Sequence, residues 1–258
     1  GVVAAFTGLL VVMVLLWVPE SLPAERRHDG GLRILLDGTR ELARDHVLVR
    51  LLFINALSFG LLMAYLSAAP FVLRNVLGMG TVAYTAVFGL CGATVTVTIA
   101  VAASLVRRFS QARQVRVGLI AGLVVDTVFA GVCLTWLREP VIGPERMPLL
   151  VAVVALFLAH VACLGLSMGN APALALDRTG RWAGTGSALL GFLQFVVGGL
   201  VSPLVGLTGE ASGVAFGVVI VAVGAVANVL AVFGLRERGE KQRLAAQVSE
   251  RRQRRLTD

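Results

Sequence analysis

Seven apolar stretches, near residues 1–18, 47–70, 81–106, 116–137, 149–175, 183–207 and 212–235, decide what this chain is able to become. A helical crossing of a bilayer takes about 20 predominantly apolar residues. Lipid offers no water to unpaired N–H and C=O groups, so a spanning segment has to be a helix or part of a closed barrel. Barrel strands are short and alternate apolar with polar residues, whereas these runs are long and continuous, which selects helices. Composition argues against a soluble core holding all seven: 57% of the 258 residues are hydrophobic and 15% are charged, against about 45–50% and about 25% in soluble domains. The first run begins at Gly1 without a polar flank and closes on Trp17, Val18, Pro19 and Glu20. It lacks the basic start and small-residue cleavage site of a signal peptide and reads as a transmembrane helix whose beginning has been cut away.

Basic residues set the orientation, because short cytoplasmic loops keep Lys and Arg. With segment 20–50 taken as cytoplasmic and alternation from there, 20 of the 23 basic residues fall inside, and Arg74, Arg138 and Arg146 fall outside. The N-terminus is then outside and the C-terminus cytoplasmic. The net charge of +8 is accounted for by this placement between apolar runs and in the tail, so no nucleic-acid partner is expected. The long internal connection, 21–46, carries Leu32, Leu35, Leu36, Leu42 and Ala43 at helical spacing, with Arg33, Asp37, Arg40, Glu41 and Arg44 largely between them. That pattern predicts a short amphipathic helix on the cytoplasmic membrane surface. The Arg-rich tail, 236–258, is expected near anionic headgroups. Cys91, Cys133 and Cys163 each lie inside an apolar run without zinc or redox spacing, so no metal is expected.

Ionisable groups at membrane depth are costly and need a reason. Two lie deep in a run: Asp126 and His160. Gly118, Gly122, Asp126 and Ala130 share one helix face, and small residues at that spacing admit a neighbouring helix, so Asp126 is expected to face protein. It reads either as a proton carrier or as a hydrogen-bonded link between helices. His160, Cys163, Ser167 and Asn170 make a polar stripe, fitting a wet cavity or a helix seam. Asn55, Ser58, Phe59, Leu62 and Tyr65 share a face of the second run, Tyr84 and Phe88 lie a turn apart in the third, and Ser187, Gly191, Gln194 and Gly198 share a face of the sixth. Apolar walls with a few orienting polar groups suit semi-polar organic molecules; ordinary helix packing uses the same residues. The cavity candidates are Asn55, Phe59, Tyr65, Tyr84, Phe88, His160, Asn170 and Gln194. Asp126 and His160 are the candidates for a proton-linked role.

Several segments resemble a known pattern. Trp17-Val18-Pro19-Glu20-Ser21-Leu22-Pro23-Ala24-Glu25-Arg26-Arg27 resembles the close of the sixth helix in major facilitator drug exporters. Asn55-Ala56-Leu57-Ser58-Phe59-Gly60 and Ala64-Tyr65-Leu66-Ser67-Ala68-Ala69-Pro70-Phe71-Val72-Leu73 are similar to the seventh helix of the bicyclomycin-resistance and chloramphenicol-efflux drug:proton antiporters. Gly169-Asn170-Ala171-Pro172-Ala173-Leu174-Ala175-Leu176 resembles the end of their tenth helix, and the stretch from Ala183 to Phe195 their eleventh. The resemblance implies an all-α membrane protein of seven transmembrane helices. These are the last helix of an N-terminal half (1–20), a cytoplasmic linker (21–46), a C-terminal six-helix bundle (47–235) and a basic tail (236–258). It implies proton-coupled efflux of small amphipathic drugs or metabolites, in the inner membrane, by alternating access. The partners it implies are a small amphipathic substrate, protons, the lipid bilayer and the missing N-terminal half, without cofactor or catalysis. Helices one to five have no counterpart, so no coupling residue carries over. The fourth run falls on the ninth helix, in the outer ring of that architecture, away from the central cavity.

Two other readings fit fewer features. Seven crossings with the N-terminus outside suit a seven-helix receptor; a retinal protein would need an intramembrane lysine, and the single lysine, Lys241, is in the tail. Ser187 with His160 is the nearest approach to an intramembrane hydrolase, but the residues around Ser187 carry no nucleophile signature.

Overall fold

A computed structural model describes residues 2–17, 32–209 and 212–233. The tail 236–258, the end of the first run and residues 21–31 of the linker lie outside the described residues. The described chain is helical, without a strand. Residues 1–38 and 39–258 form two compact units.

The first unit holds α1, Val2–Trp17, and the start of α2, Leu32–Ala43. α1 carries its apolar residues exposed, Leu15, Leu16 and Trp17 among them. α2 forms where the apolar spacing of Leu32, Leu35, Leu36, Leu42 and Ala43 predicts an amphipathic helix.

Among its described residues, the second unit contains six helices long and apolar enough to cross a membrane. α3 runs His46–Pro70 and continues through a π-helical turn, Phe71–Val76. α4 is Thr81–Leu105, α5 Gln111–Trp136 and α6 Arg146–Leu176. α7 is Ala183–Leu204, entered through a short 3₁₀ turn at Gly180–Trp182. α8 is Val214–Phe233. The apolar runs locate all six, and the edges differ for local reasons. The second apolar run ends at Pro70 because proline reads as a terminator, but the helix continues past it. The proline's φ of −63° and ψ of −39° are helical, so the chain stays helical through it, and the turn after it is widened, with Leu77 N–H reaching back to Val72 O at 3.0 Å. α5 starts at Gln111 because the Ser110 side chain caps the Arg113 N–H. Its first turns carry exposed Arg113 and Arg116, which apolar counting passes over.

α3 is the most covered of the six spans and packs against α7 and α6, while α6 also packs against α4 and α5. Lipid is as apolar as leucine, so close backbone approach and interhelical hydrogen bonds hold such a bundle. Gly165 of α6 shows the first: a Cβ there would lie 2.7 Å from Thr98 Cβ of α4. Ser67 and Ser202 show the second, with their hydroxyls 2.5 Å apart between α3 and α7. α8 lies against α5, where Asn228 of α8 donates to Leu119 O at 2.9 Å.

The two ends of the unit are distinct. At the arginine-rich end, Asp45 Oδ1 accepts from the Val47 and Leu48 N–H groups while its Oδ2 accepts from Arg178 Nε and Nη2 at 2.9 and 2.6 Å. Arg181 pairs with Glu41 of α2 at 2.7 Å. At the other end, Arg146 Nε donates to Leu77 O at 2.7 Å, beside Gly78, whose φ of +60° turns the chain out of α3. Val141 N–H and Gly213 N–H tie the remaining loops to Val76 O and Leu137 O.

Candidate functional site

The sequence-predicted residues fall into three groups along the membrane-spanning helices. The first is an amide pair on the α3–α7 seam. Asn55 Nδ2 donates to Gln194 Oε1 at 3.3 Å, and one turn further on Phe59 meets Phe195 edge-on, 5.4 Å between centroids. Asn55 is buried, and Gln194 and Phe59 are half-buried. Gly198 lets Phe59 lie against α7, since a Cβ there would sit 3.0 Å from the ring.

The second group is aromatic. Tyr84 and Phe88 of α4 lie 5.7 Å apart, and Tyr65 of α3 stacks on Phe88 at 6.0 Å. Tyr65 also meets Phe157 of α6 at 5.3 Å, and from there the rings continue through Phe129 and Phe216. Sequence reasoning missed Phe129, Phe157 and Phe216, because a lone aromatic in an apolar run carries no sign of its neighbours. Tyr84 and Phe88 remain half-buried.

The third group lies between α5 and α6. Asp126 and His160, near the middle of their helices, meet through Oδ1 and Nδ1 at 2.5 Å, each 1% exposed. Asp126 faces protein, as the small-residue spacing predicted: a Cβ on Gly118 would come within 2.9 Å of Cys163 O on α6. Asn170 Nδ2 donates to Gln114 Oε1 at 3.3 Å and to Leu166 O at 2.9 Å. The structure thus separates His160 and Asn170 from the aromatic and amide groups and gives them to the α5–α6 seam. Gln114 was overlooked, although it lies four residues before Gly118 on the face that leads to Asp126. Ser187 is exposed near the start of α7, whereas His160 is buried and its Nε2 has no hydrogen-bond partner among the described residues, so the serine is not hydrogen-bonded to this histidine.

Six apolar spans, packed through small residues and intramembrane hydrogen bonds, define a multi-pass helical membrane protein. The family follows from comparison: residues 1–203 match the model of the Major Facilitator Superfamily, and the chain belongs to it. The chain is also similar to an uncharacterized MFS-type transporter, YdgK, of Bacillus subtilis (strain 168), with 27% identity over 231 residues that make up 88% of this chain and 53% of that protein. The chain spans about half the length of this curated relative. No solved structure matches it. Family membership does not support the receptor reading.

Proposed function

We propose that this chain supplies the C-terminal six-helix half, with the helix before it, of a transporter of the bicyclomycin-resistance and chloramphenicol-efflux type. In this reading it carries small amphipathic drugs or metabolites out of the cell by alternating access, driven by the inward proton gradient. The match to 53% of a transporter's length supports a second half that completes the carrier. The arginine-rich end faces the cytoplasm, as loop charge requires, and the protein sits in the inner membrane.

The observation that carries the substrate class is the Asn55–Gln194 amide pair with Phe59 and Phe195 one turn away. A half-buried amide inside an apolar, ring-lined surface orients a molecule with one or two polar groups while most of the binding surface stays apolar. Tyr65, Tyr84 and Phe88 extend the same chemistry along α3 and α4. In cells carrying the full-length protein, Gln194→Leu and Tyr65→Ala are expected to reduce efflux of a fluorescent amphipathic cation by about tenfold, the scale of one lost orienting hydrogen bond or ring contact. Membrane abundance, read by immunoblot, should hold. Unchanged efflux in both variants would remove this surface from the substrate path.

A further inference from the structure

The Asp126–His160 contact leaves one atom of the pair unaccounted for. At 2.5 Å between Oδ1 and Nδ1, a proton has to lie between them, because two bare lone pairs would repel. Two charge states satisfy this. With one proton, the Asp126 carboxylate accepts from Nδ1–H, Nε2 is a bare acceptor and the pair carries one negative charge. With two, Nε2 carries a hydrogen and the pair is neutral, wherever the shared proton sits. Nε2 is therefore where the second proton arrives and leaves. It is buried and has no hydrogen-bond partner among the described residues, and the same holds for Ser167 Oγ.

Both side chains line one cavity of about 10 Å³, close to the room one water needs. Its other walls include Leu61 of α3, Gly118 and Gly122 of α5 and Gly224 of α8. Among the described residues, Cys163 is the one further titratable group lining it, and no arginine, lysine or second carboxylate does. The surroundings differ on the two sides. Toward the arginine-rich end, polar groups follow in line: Ser167, then Asn170 donating to Gln114, then Gln114 Nε2 donating to Phe109 O at 3.2 Å just beyond α4. Toward the other end, Phe129, three residues after Asp126, packs on Phe157, three residues before His160, at 4.8 Å, and Phe216 closes on both. All three rings are fully buried.

We propose that Asp126 and His160 form a proton-binding site that, in this conformation, exchanges with the arginine-rich end along Ser167, Asn170 and Gln114 and is sealed from the opposite end by Phe129, Phe157 and Phe216. One proton from water at the arginine-rich end binds His160 Nε2, the pair passes from one negative charge to neutral, and no other bond changes. Its use in transport rests on the proton-driven reading above; the site itself does not.

Nitrogen-15 spectra of histidine-labelled full-length protein in lipid nanodiscs, titrated from alkaline to acid, test it, with His160→Gln identifying the signal. Nε2 should pass from a bare to a hydrogen-bearing nitrogen, and Asp126→Asn should move the midpoint by at least about tenfold in proton concentration, the effect of one buried neighbouring charge. Ser167→Ala should slow exchange with solvent and leave the midpoint in place. An Nε2 that keeps one protonation state wherever the native protein stays folded overturns the proposal, whether or not the variants fold. An unshifted midpoint in folded Asp126→Asn overturns it too. Dye efflux that needs no proton gradient, found alongside a titrating Nε2, would sink the proton-driven reading while supporting the site.

Discussion

At the scale of single residues, Asp45 does two jobs with one carboxylate. Oδ1 caps the first turn of α3, and Oδ2 holds Arg178, which follows the C-terminus of α6 and complements its dipole. Burial works to raise the Asp45 carboxyl, but the Arg178 hydrogen bond and the Leu48 and Val47 N–H groups outweigh it and hold the group below the usual carboxylate range. The carboxyl of Asp45 is easier to ionise in the folded chain than in the unfolded one. Its stabilising contribution is thus complete above the unfolded pKa, near 3.8, and is lost as pH falls through the lower folded value. Asp45→Ala is expected to cost about 1–2 kcal/mol, a lost cap plus an ion pair discounted for its partial exposure. Thermal unfolding in detergent should show that loss at neutral pH and a smaller gap between variant and native chain in strong acid. Sequence spacing placed Asp45 next to an apolar run; it carried no indication of Arg178, 133 positions away.

Helices in this bundle meet where side chains are smallest. Gly165 and Gly92 look alike in the sequence, each a glycine within an apolar run. Only the first has a neighbour: a Cβ at 165 would strike Thr98 Cβ at 2.7 Å and approach the Val95 carbonyl at 3.2 Å, whereas nothing lies within 4 Å of one at 92. Gly165→Val should therefore force α4 and α6 apart at a cost of about 1–3 kcal/mol. Gly92→Ala should be neutral or stabilising by about 0.5–1 kcal/mol, since it removes backbone freedom without a clash. Melting temperatures of the two variants in the same detergent separate the cases, and equal shifts would contradict the packing described for α4 and α6. Apolar patterning identified both helices; which glycine bears the crossing was settled by the partner helix.

For the whole molecule, the difference between its two ends is the consequential feature. Single cysteines replacing Ser110 and Ile142 would lie at opposite ends of α5 and its following loop, and the native Cys91, Cys133 and Cys163 sit within spans. A membrane-impermeant thiol reagent on intact cells is expected to label Ile142→Cys and to reach Ser110→Cys only after the cells are opened. The reverse pattern would invert the orientation and the side with which the Asp126–His160 pair exchanges.

Six of the seven crossings, their approximate bounds, the amphipathic α2 and the need for Asp126 to face protein were all open to reading from the chain alone. Each follows from a local requirement: an apolar length that lipid imposes, a helical period, or the cost of a bare charge in hydrocarbon. The meeting of Asp126 with His160, the joining of Asn170 to Gln114 and the seal of three phenylalanines came only with tertiary structure. Those contacts depend on how each helix is rotated about its axis. Lipid surrounds every face of an isolated apolar helix equally, so the rotation is fixed only by neighbouring helices packed through small residues and hydrogen bonds.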